Sequence, residues 1–186
     1  MGTPAEPKPV NYFVGLLSPD AEVLTTVEKD LAEILGPVDD RSEILPWSLS
    51  GYYEKEMGSR LLKRFISFGQ LSSPGRLAGV KLQTQEIEVK YRMKSAGRIG
   101  RRVNVDPGYI DAGKVVMAST KSAGHRIYLN FGIYAEPTLL YYNGAFQSCR
   151  YTYPDFLWPQ TLSFLGSVRR FYLNKLRSDR ESVAKG

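Results

Sequence analysis

Apolar and polar residues alternate along this chain in blocks that predict a succession of strands and helices. Tyr12 to Leu17 is a compact apolar run, which is typical of a buried strand. Ser18-Pro19-Asp20 favours a helix start, because Ser18 suits the cap and Pro19 suits the first helical position. Apolar residues then recur at helical spacing until Gly36-Pro37 ends the helix; they are Val23, Leu24, Val27, Leu31, Ile34 and Leu35.

The next blocks predict two strands and a second helix. Ile44 to Leu49 and Leu61 to Phe68 have the composition of strands, and Pro46 places the first at a sheet edge or an irregularity. Ser73-Pro74 favours another helix start. Residues at helical spacing follow it, namely Leu77, Val80, Thr84, Ile87 and Tyr91. The alternation from Ile87 to Tyr91 leaves a strand as the alternative for the end of this segment.

The third block continues with strand patterns and a turn. Val103 to Val105 begins a strand, and Asp106-Pro107-Gly108-Tyr109 is typical of a turn, since Pro presets φ and Gly permits a positive φ. An alternative is that Asp106 projects from the strand end into a cleft. Lys114 to Thr120 fits either a helix or a strand, and Arg126 to Leu129 fits a strand.

A hairpin and a helix are predicted to close the chain. Asn143-Gly144 is the strongest hairpin signal in the sequence and lies between Thr138–Tyr142 and Ala145–Arg150. The closing amphipathic helix is marked by Leu162, Leu165, Val168, Tyr172, Leu173 and Leu176.

The order strand, helix, strand, strand, helix, strand predicts an α+β protein. We expect a ferredoxin-like βαββαβ antiparallel sheet core with helices on one face, extended by a C-terminal β-hairpin and a closing helix. In this arrangement Tyr12–Leu17 is central and pairs with Val103–Val105. The expected organisation is a flexible arm at 1–9, a single domain at 10–177 and a polar tail at 178–186.

Composition narrows the classes of function. The single cysteine, Cys149, excludes an intramolecular disulfide, and one Cys with one His excludes zinc sites built from those residues. No cluster of acidic residues demands a metal. No apolar run approaches the roughly 18 residues of a membrane span, and no signal peptide is evident, so we expect a cytoplasmic protein without a membrane partner. The sequence defines neither a cofactor nor an oligomeric state.

The net charge of +6 suits an anionic partner. A run of basic residues without intervening acids extends from Arg92 to Arg102. Together with the twelve tyrosines, this run makes an RNA-associated protein one alternative function. The sequence lacks the aromatic signature of an RNA-recognition motif, and tyrosines on strands are commonly half-buried sheet surface, so a small ligand is favoured over nucleic acid.

The most informative candidate site is the segment from Lys121 to Arg126. Its small residues allow close approach of a ligand to the backbone, and its cations suit phosphate or carboxylate, although it is not a Walker A loop. His125 is the only histidine and a candidate acid/base. Asp106 is a second acid/base candidate. Lys81 joins this set because it would share one helix face with Thr84 and Glu88.

Several long strings of residues give the chain a recognisable signature. They are Phe13–Ser18, Tyr52–Gly58, Val80–Glu88, Arg102–Tyr109, His125–Leu129, Gly132–Glu136 and Thr152–Asp155. On these strings, from about Val10 to Leu176, the sequence resembles the uncharacterised prokaryotic family known as domain of unknown function 4416. Gln85 and Ala123 depart from the usual residues of that family. The resemblance implies no particular activity, but it favours considering the charged residues of the strings together, including Glu136.

These observations lead to one preferred function and two alternatives. We expect binding, with processing as a further role, of a small anionic ligand such as a nucleotide or phosphorylated metabolite. Lys81, Lys121, Arg126 and Glu136 are the expected binding residues, and His125 and Asp106 the expected catalytic ones. The alternatives are the RNA-associated protein and a scaffold or partner-binding subunit without chemistry.

Overall fold

The computed structural model describes residues 2–95 and 98–183 and has an α+β architecture. Three long helices and a short one accompany the strands: α1 (Ala21–Leu35), α2 (Glu54–Met57), α3 (Leu77–Lys90) and α4 (Pro159–Val183). The strands are β1 (Val10–Ser18), β2 (Val38–Arg41), β3 (Leu45–Trp47), β4 (Leu61–Ser72), β5 (Arg92–Ser95), β6 (Arg98–Arg101), β7 (Asn104–Ile110), β8 (Lys114–Ser119), β9 (Ile127–Asn130), β10 (Ile133–Tyr142) and β11 (Ala145–Ser148).

Nine strands form one antiparallel sheet, in the order β11-β10-β8-β7-β1-β4-β2, with β3 beside β4 and β9 beside β10. β5 and β6 form a separate hairpin, whose connecting residues 96–97 lie outside the described part of the chain. β1 lies between β4 and β7, and Leu16 is opposite Val105. The predicted pairing of these two segments is therefore confirmed.

Both faces of the sheet are covered, which explains why every residue of β1 is buried. Even-numbered residues of β1, such as Val14, pack against α1 and α3 in one core. On the other face, Phe13 packs with Phe164 and Leu165 of α4 in a second core, and Leu17 belongs to a smaller cluster with Trp47 and Leu61. The predicted closing helix is present, but it covers the face opposite to α1 and α3. Among the described residues no helix is long and apolar enough to cross a bilayer.

The first helix begins slightly later than its sequence suggests. Asp20, and not Ser18, is the N-cap, since its side chain accepts a hydrogen bond from the backbone N of Glu22. Ser18 is instead the last residue of β1, where its hydroxyl donates to the carbonyl O of Arg102 at 2.7 Å. α3 is helical throughout, so the strand alternative for its last residues is wrong.

The turn predicted at Asp106–Tyr109 is also wrong, because all four residues lie inside β7. Gly108 is required there for space: an added Cβ would lie 2.5 Å from Met117 Sδ and 2.6 Å from the carbonyl O of Val116. Gly108, a residue typical of a turn, is therefore needed here because β7 and β8 approach each other closely. Lys114 to Ser119 is a strand, which settles the second ambiguity of the sequence.

The late hairpin agrees with its prediction. Asn143 and Gly144 both have positive φ, at 52° and 80°, as a two-residue turn of this type requires. At the two ends of the chain, residues 2–9 carry no regular structure, and α4 continues through the polar residues from Ser178 to Val183.

Candidate functional site

A cavity of about 540 Å³ lies where β7 and β8 separate. The two strands pair from Gly108 to Ile110, and the preceding residues of β7, Asn104 to Pro107, extend beyond the point of separation. β8 pairs with β10 along its whole length, up to Ser119 opposite Tyr134, and beyond Met117 it pairs with β10 alone. The nitrogen of Pro107 carries no proton. The strand tolerates this residue because β8 does not pair with β7 at this position.

α3 supplies the hydrogen-bond partners that β8 no longer provides. Lys81 Nζ donates to the carbonyl O of Val105 at 2.9 Å and to Oδ1 of Asp106 at 3.0 Å. Glu88 Oε1 accepts from the backbone N of Val105 at 2.8 Å. Lys81 and Glu88 are two helical turns apart and share the buried face of α3 with Thr84, as predicted. These contacts bring Lys81 and Asp106 together at the floor of the cavity.

Asp106 is held as a carboxylate by its surroundings. Burial would raise its pKa, but the charges of Lys81 and Lys63 and the hydrogen bonds from Lys81 and Asn104 outweigh burial and lower that pKa below its usual value. About a third of the Asp106 side chain remains exposed, at 33%. Asp106 is therefore an ionised acceptor that faces the cavity.

Lys63 and Asp155 form a second ion pair beside the first, and neither residue was expected at the site. Lys63 Nζ lies 3.2 Å from Asp155 Oδ2, which also accepts from Trp47 Nε1 at 3.3 Å. Both charged side chains are less than a tenth exposed. Gly15 of β1 makes room for this pair, because an added Cβ there would lie 3.2 Å from Lys63 Nζ.

Arg101 forms one wall of the cavity and is bound by carboxylates on two sides. It donates to both carboxylate oxygens of Glu56 and to Oε2 of Glu88. The hydrogen bond from Arg101 lowers the pKa of Glu56, whereas burial raises that of Glu88. Arg102, also in the predicted basic run, pairs with Asp20 at 2.6 Å. The end of this run is therefore engaged within the protein.

Arg126 organises the opposite wall. Its Nε donates to Glu136 Oε2 at 2.6 Å, its Nη1 to the carbonyl O of Lys121 at 2.8 Å, and its Nη2 to the hydroxyl of Tyr153 at 2.8 Å. Lys121, Glu136 and Tyr153 all line the cavity with it. The Lys121 ammonium lies 4.3 Å from the centre of the Tyr52 ring. Arg126 thus fixes the positions of three groups that face the same space.

His125 lies behind this wall and is not among the residues that line the cavity. Its ring stacks on Tyr151 at 3.8 Å between centres, and its Nε2 lies 3.3 Å from Glu136 Oε2. The small residues Ser122, Ala123 and Gly124 are likewise absent from the lining. Of the six predicted site residues, the structure brings Lys81, Asp106, Lys121, Arg126 and Glu136 around one cavity.

Aromatic side chains complete the walls. Trp47, Tyr52, Tyr53 and Tyr153 all face the cavity. The Tyr53 ring meets those of Trp47 and Tyr52 edge to face, with centres 5.6 and 5.0 Å apart. Such rings offer flat surfaces for a planar or sugar-like group, with the carboxylates of Asp106 and Asp155 nearby to accept hydrogen bonds.

The described residues contain no group of three or more His, Cys, Asp or Glu side chains placed to hold a metal ion. What the cavity offers instead is paired charges, hydroxyl and carboxylate acceptors, and aromatic faces. Lys63, Asp155 and Trp47 were missed because their pairing joins distant segments, although Tyr153 and Asp155 do occur in one of the signature strings.

Comparison with known proteins gives a family but no activity. No curated protein matches the sequence. The model of the family described as Domain of unknown function (DUF4416) matches residues 8–172, which is nearly the whole described fold and every residue that lines the cavity. The chain therefore belongs to the DUF4416 family.

Proposed function

We propose that this protein binds a small anionic ligand, such as a nucleotide or a phosphorylated metabolite, in the cavity between β7 and β8. The observation that carries the proposal is the position of Lys121. The other four described cations of the lining each have a carboxylate partner: Lys63 with Asp155, Lys81 with Asp106, Arg101 with Glu56 and Glu88, and Arg126 with Glu136. Lys121 has none among the residues that the structure describes.

Because the other four cations of the lining are paired with carboxylates, Lys121 is the one whose charge no described carboxylate neutralises. A ligand anion that enters the cavity therefore meets Lys121, whose ammonium lies beside the Tyr52 ring. Tyr153 accepts a hydrogen bond from Arg126, so its own hydroxyl proton is available for the same anion. Charge-assisted hydrogen bonds of this kind are about twice as strong as neutral ones.

The remainder of the cavity suits the uncharged part of such a ligand. Trp47, Tyr52 and Tyr53 present apolar faces on which a base or a sugar ring can stack. The carboxylate of Asp106 accepts hydrogen bonds from ligand hydroxyls, and Lys81 beneath it keeps it ionised. Nucleotides and phosphosugars combine all three features: an anion, a ring and hydroxyls.

Processing of the ligand would use Asp106 as a base. An ionised carboxylate with a lowered pKa accepts a hydrogen bond readily but accepts a proton weakly, so this role is limited to acidic ligand protons. His125 would act through Glu136, since it contacts that carboxylate and does not line the cavity. In this proposal, binding is therefore the primary role and His125 is a positioning residue.

The strand order supports a finer description of the scaffold as ferredoxin-like. β1, α1, β2 with β3, β4, α3 and β7 follow the order βαββαβ along the chain. In the sheet β7 lies beside β1, β1 beside β4, and β4 beside β2 and β3. We infer that β8 to β11 and α4 are additions to this unit, and that the cavity lies at the junction of the unit and its additions.

A thermal-shift screen with inorganic phosphate, nucleotides and phosphosugars tests the proposal. At a hundred times the dissociation constant, a bound ligand stabilises the fold by about 2.7 kcal/mol, which is a shift of several degrees for a chain of this size. Lys121→Gln should abolish the shift. Lys29→Gln is the matched control, because it removes the same charge from an exposed position on α1, and it should leave the shift intact.

Two results would overturn the proposal. One is a wild-type protein that responds to no compound in the panel, and the other is an equal response of wild type and Lys121→Gln. Binding to single-stranded RNA, with an affinity that falls steeply as salt is raised, would instead support the RNA-associated alternative.

A further inference from the structure

Glu136 is a buried carboxylate with only one of its two oxygens engaged. Its side chain is 2% exposed, and Oε2 accepts from Arg126 Nε at 2.6 Å. Oε1 is buried and has no hydrogen-bond partner among residues 2–95 and 98–183. A buried acceptor without a partner is costly, and a carboxylate more so than a neutral group. This oxygen needs a donor that the described residues do not provide.

The neighbours of Glu136 restrict where that donor comes from. Arg126 is already committed to Glu136, Lys121 and Tyr153. His125 faces Oε2 and not Oε1, and its Nε2 also lacks a hydrogen-bond partner within the described part of the chain. Thr138, the next polar side chain, donates to the backbone carbonyl of Glu136. Since Glu136 lines the cavity, we look to a bound molecule for this donor.

We infer that Glu136 selects ligands that carry a hydroxyl or amino group close to their anionic group. This inference rests on the proposed function, and it adds a second requirement to it. The anion lies at Lys121 and the donor lies at Glu136 Oε1. One guanidinium, that of Arg126, contacts both the backbone of Lys121 and the carboxylate of Glu136, so the two residues are held on the same wall of the cavity. The ligand class is therefore a hydroxylated or aminated phosphate or carboxylate.

The chemistry of recognition follows from the charge of the acceptor. A carboxylate beside a guanidinium accepts hydrogen bonds and donates none. A ligand that places a methyl group or a carbonyl oxygen at this point leaves Oε1 without a partner or repels it. Hydrogen bonds to charged groups contribute enough that loss of one lowers affinity by about ten- to a hundredfold. Donor-bearing ligands should exceed matched ligands without the donor by that factor.

Matched pairs of phosphate esters test the inference directly. Glycerol 3-phosphate is compared with propyl phosphate, ethanolamine phosphate with ethyl phosphate, and adenosine monophosphate with its 2′,3′-dideoxy analogue. Each pair has the same anionic group and differs in donors. Affinities measured by thermal-shift titration should favour the donor-bearing member of at least one pair by about tenfold or more.

Glu136→Gln supplies the second arm. Its amide oxygen is expected to turn towards Arg126 Nε, which leaves the amide NH₂ at the place of Oε1. The preference within the pair should then disappear or reverse, while the affinity for the member without donors is retained. A purely structural role of Glu136 would lower both affinities together and leave their ratio unchanged.

The outcomes separate this inference from the proposal beneath it. If none of the phosphate esters binds, both the proposed function and this inference are overturned. Binding of the esters at equal affinity within all three pairs would overturn this inference alone, as would a wild-type ratio in Glu136→Gln. If Glu136→Gln does not fold, Asp106→Asn decides the question: a donor preference that this variant retains does not come from Asp106, and a preference that it loses overturns the inference.

Discussion

Asp106 and Lys81 show how a single pair of residues serves both the fold and the cavity. Lys81 is 7% exposed and depends on Asp106 and the Val105 carbonyl for its hydrogen bonds. Removal of one member of such a pair leaves the other buried without its partner, and this is more damaging than the loss of the pair itself. The carboxylate that faces the cavity therefore also helps to hold α3 on the sheet.

Asp106→Asn should lower the free energy of unfolding at pH 7 by about 1–3 kcal/mol. The pKa of Asp106 is lowered in the folded protein, so its carboxylate stabilises the fold above the ordinary value of 3.8. This contribution is lost as the pH falls through the lower pKa of the folded state. The difference between wild type and variant should therefore shrink below about pH 3.8.

Urea unfolding from pH 7 to pH 2.5 measures this difference. Glu6→Gln, which removes a carboxylate from the segment without regular structure, should change the stability little at any pH. A difference for Asp106→Asn that stays constant over the whole range would contradict the lowered pKa.

At the scale of elements, the close approach of β7 and β8 at Gly108 sets the position of the cavity. The strands are in contact at Gly108 and Met117, and from there β8 follows β10. Gly108 permits the contact because it lacks a Cβ. Pro107 precedes it at a position where β8 no longer pairs with β7. A larger residue at 108 would push the strands apart at the edge of the cavity.

Gly108→Ala should lower the free energy of unfolding by about 1–3 kcal/mol, because overpacking forces the backbone to shift. The added methyl group would lie 2.6 Å from the Val116 carbonyl oxygen, which belongs to the backbone and yields poorly. Gly113→Ala is the control, since the nearest atom to its added methyl group is 3.9 Å away. Equal urea midpoints for the two variants would show that position 108 tolerates a side chain between β7 and β8.

The elements that the sequence predicted well are those whose cause is local. Asn143-Gly144 makes its turn because both residues tolerate positive φ, and no distant contact is needed. Pro107 and Gly108 have the same local signature, yet β1 overrides it by pairing with both residues, and β8 pairs with Gly108 on the other side. Proline and glycine are therefore weak evidence for a turn when the proline lies where a neighbouring strand is not paired and the glycine lies where two strands approach closely.

The same distinction applies to the site. Charged residues near Lys121 could be selected by type, and five of the six do meet at one cavity. The pair of Lys63 with Asp155 could not be selected in this way, because β4 and the segment before α4 meet only in the folded chain. The neighbours of His125 along the chain suggested a loop around a ligand, whereas its ring stacks on Tyr151 and does not line the cavity.

At the scale of the whole molecule, one sheet separates two apolar cores. Leu24 of α1 belongs to the first and Leu165 of α4 to the second, and both are fully buried. β1 contributes alternate residues to each core, so neither layer of helices can leave without exposing the other side of a shared strand. The chain is therefore expected to unfold as one cooperative unit.

Leu24→Ala and Leu165→Ala should each destabilise the protein by about 2–5 kcal/mol. Both should shift a single transition, with coincident curves from far-ultraviolet circular dichroism and tyrosine fluorescence. If Leu165→Ala produced a separate early transition while the Leu24 side remained folded, α4 and its core would form an independent unit.

The gap between β7 and β8 has a consequence for how this sheet interacts with other chains. A row of unpaired backbone groups in a sheet normally invites an extraneous strand, and with it aggregation. Here Lys81 and Glu88 form hydrogen bonds with the backbone O and N of Val105. These groups are therefore not free to pair with a strand of another chain. We therefore expect that no other chain adds a strand at this gap, although β7 and β8 are not paired there.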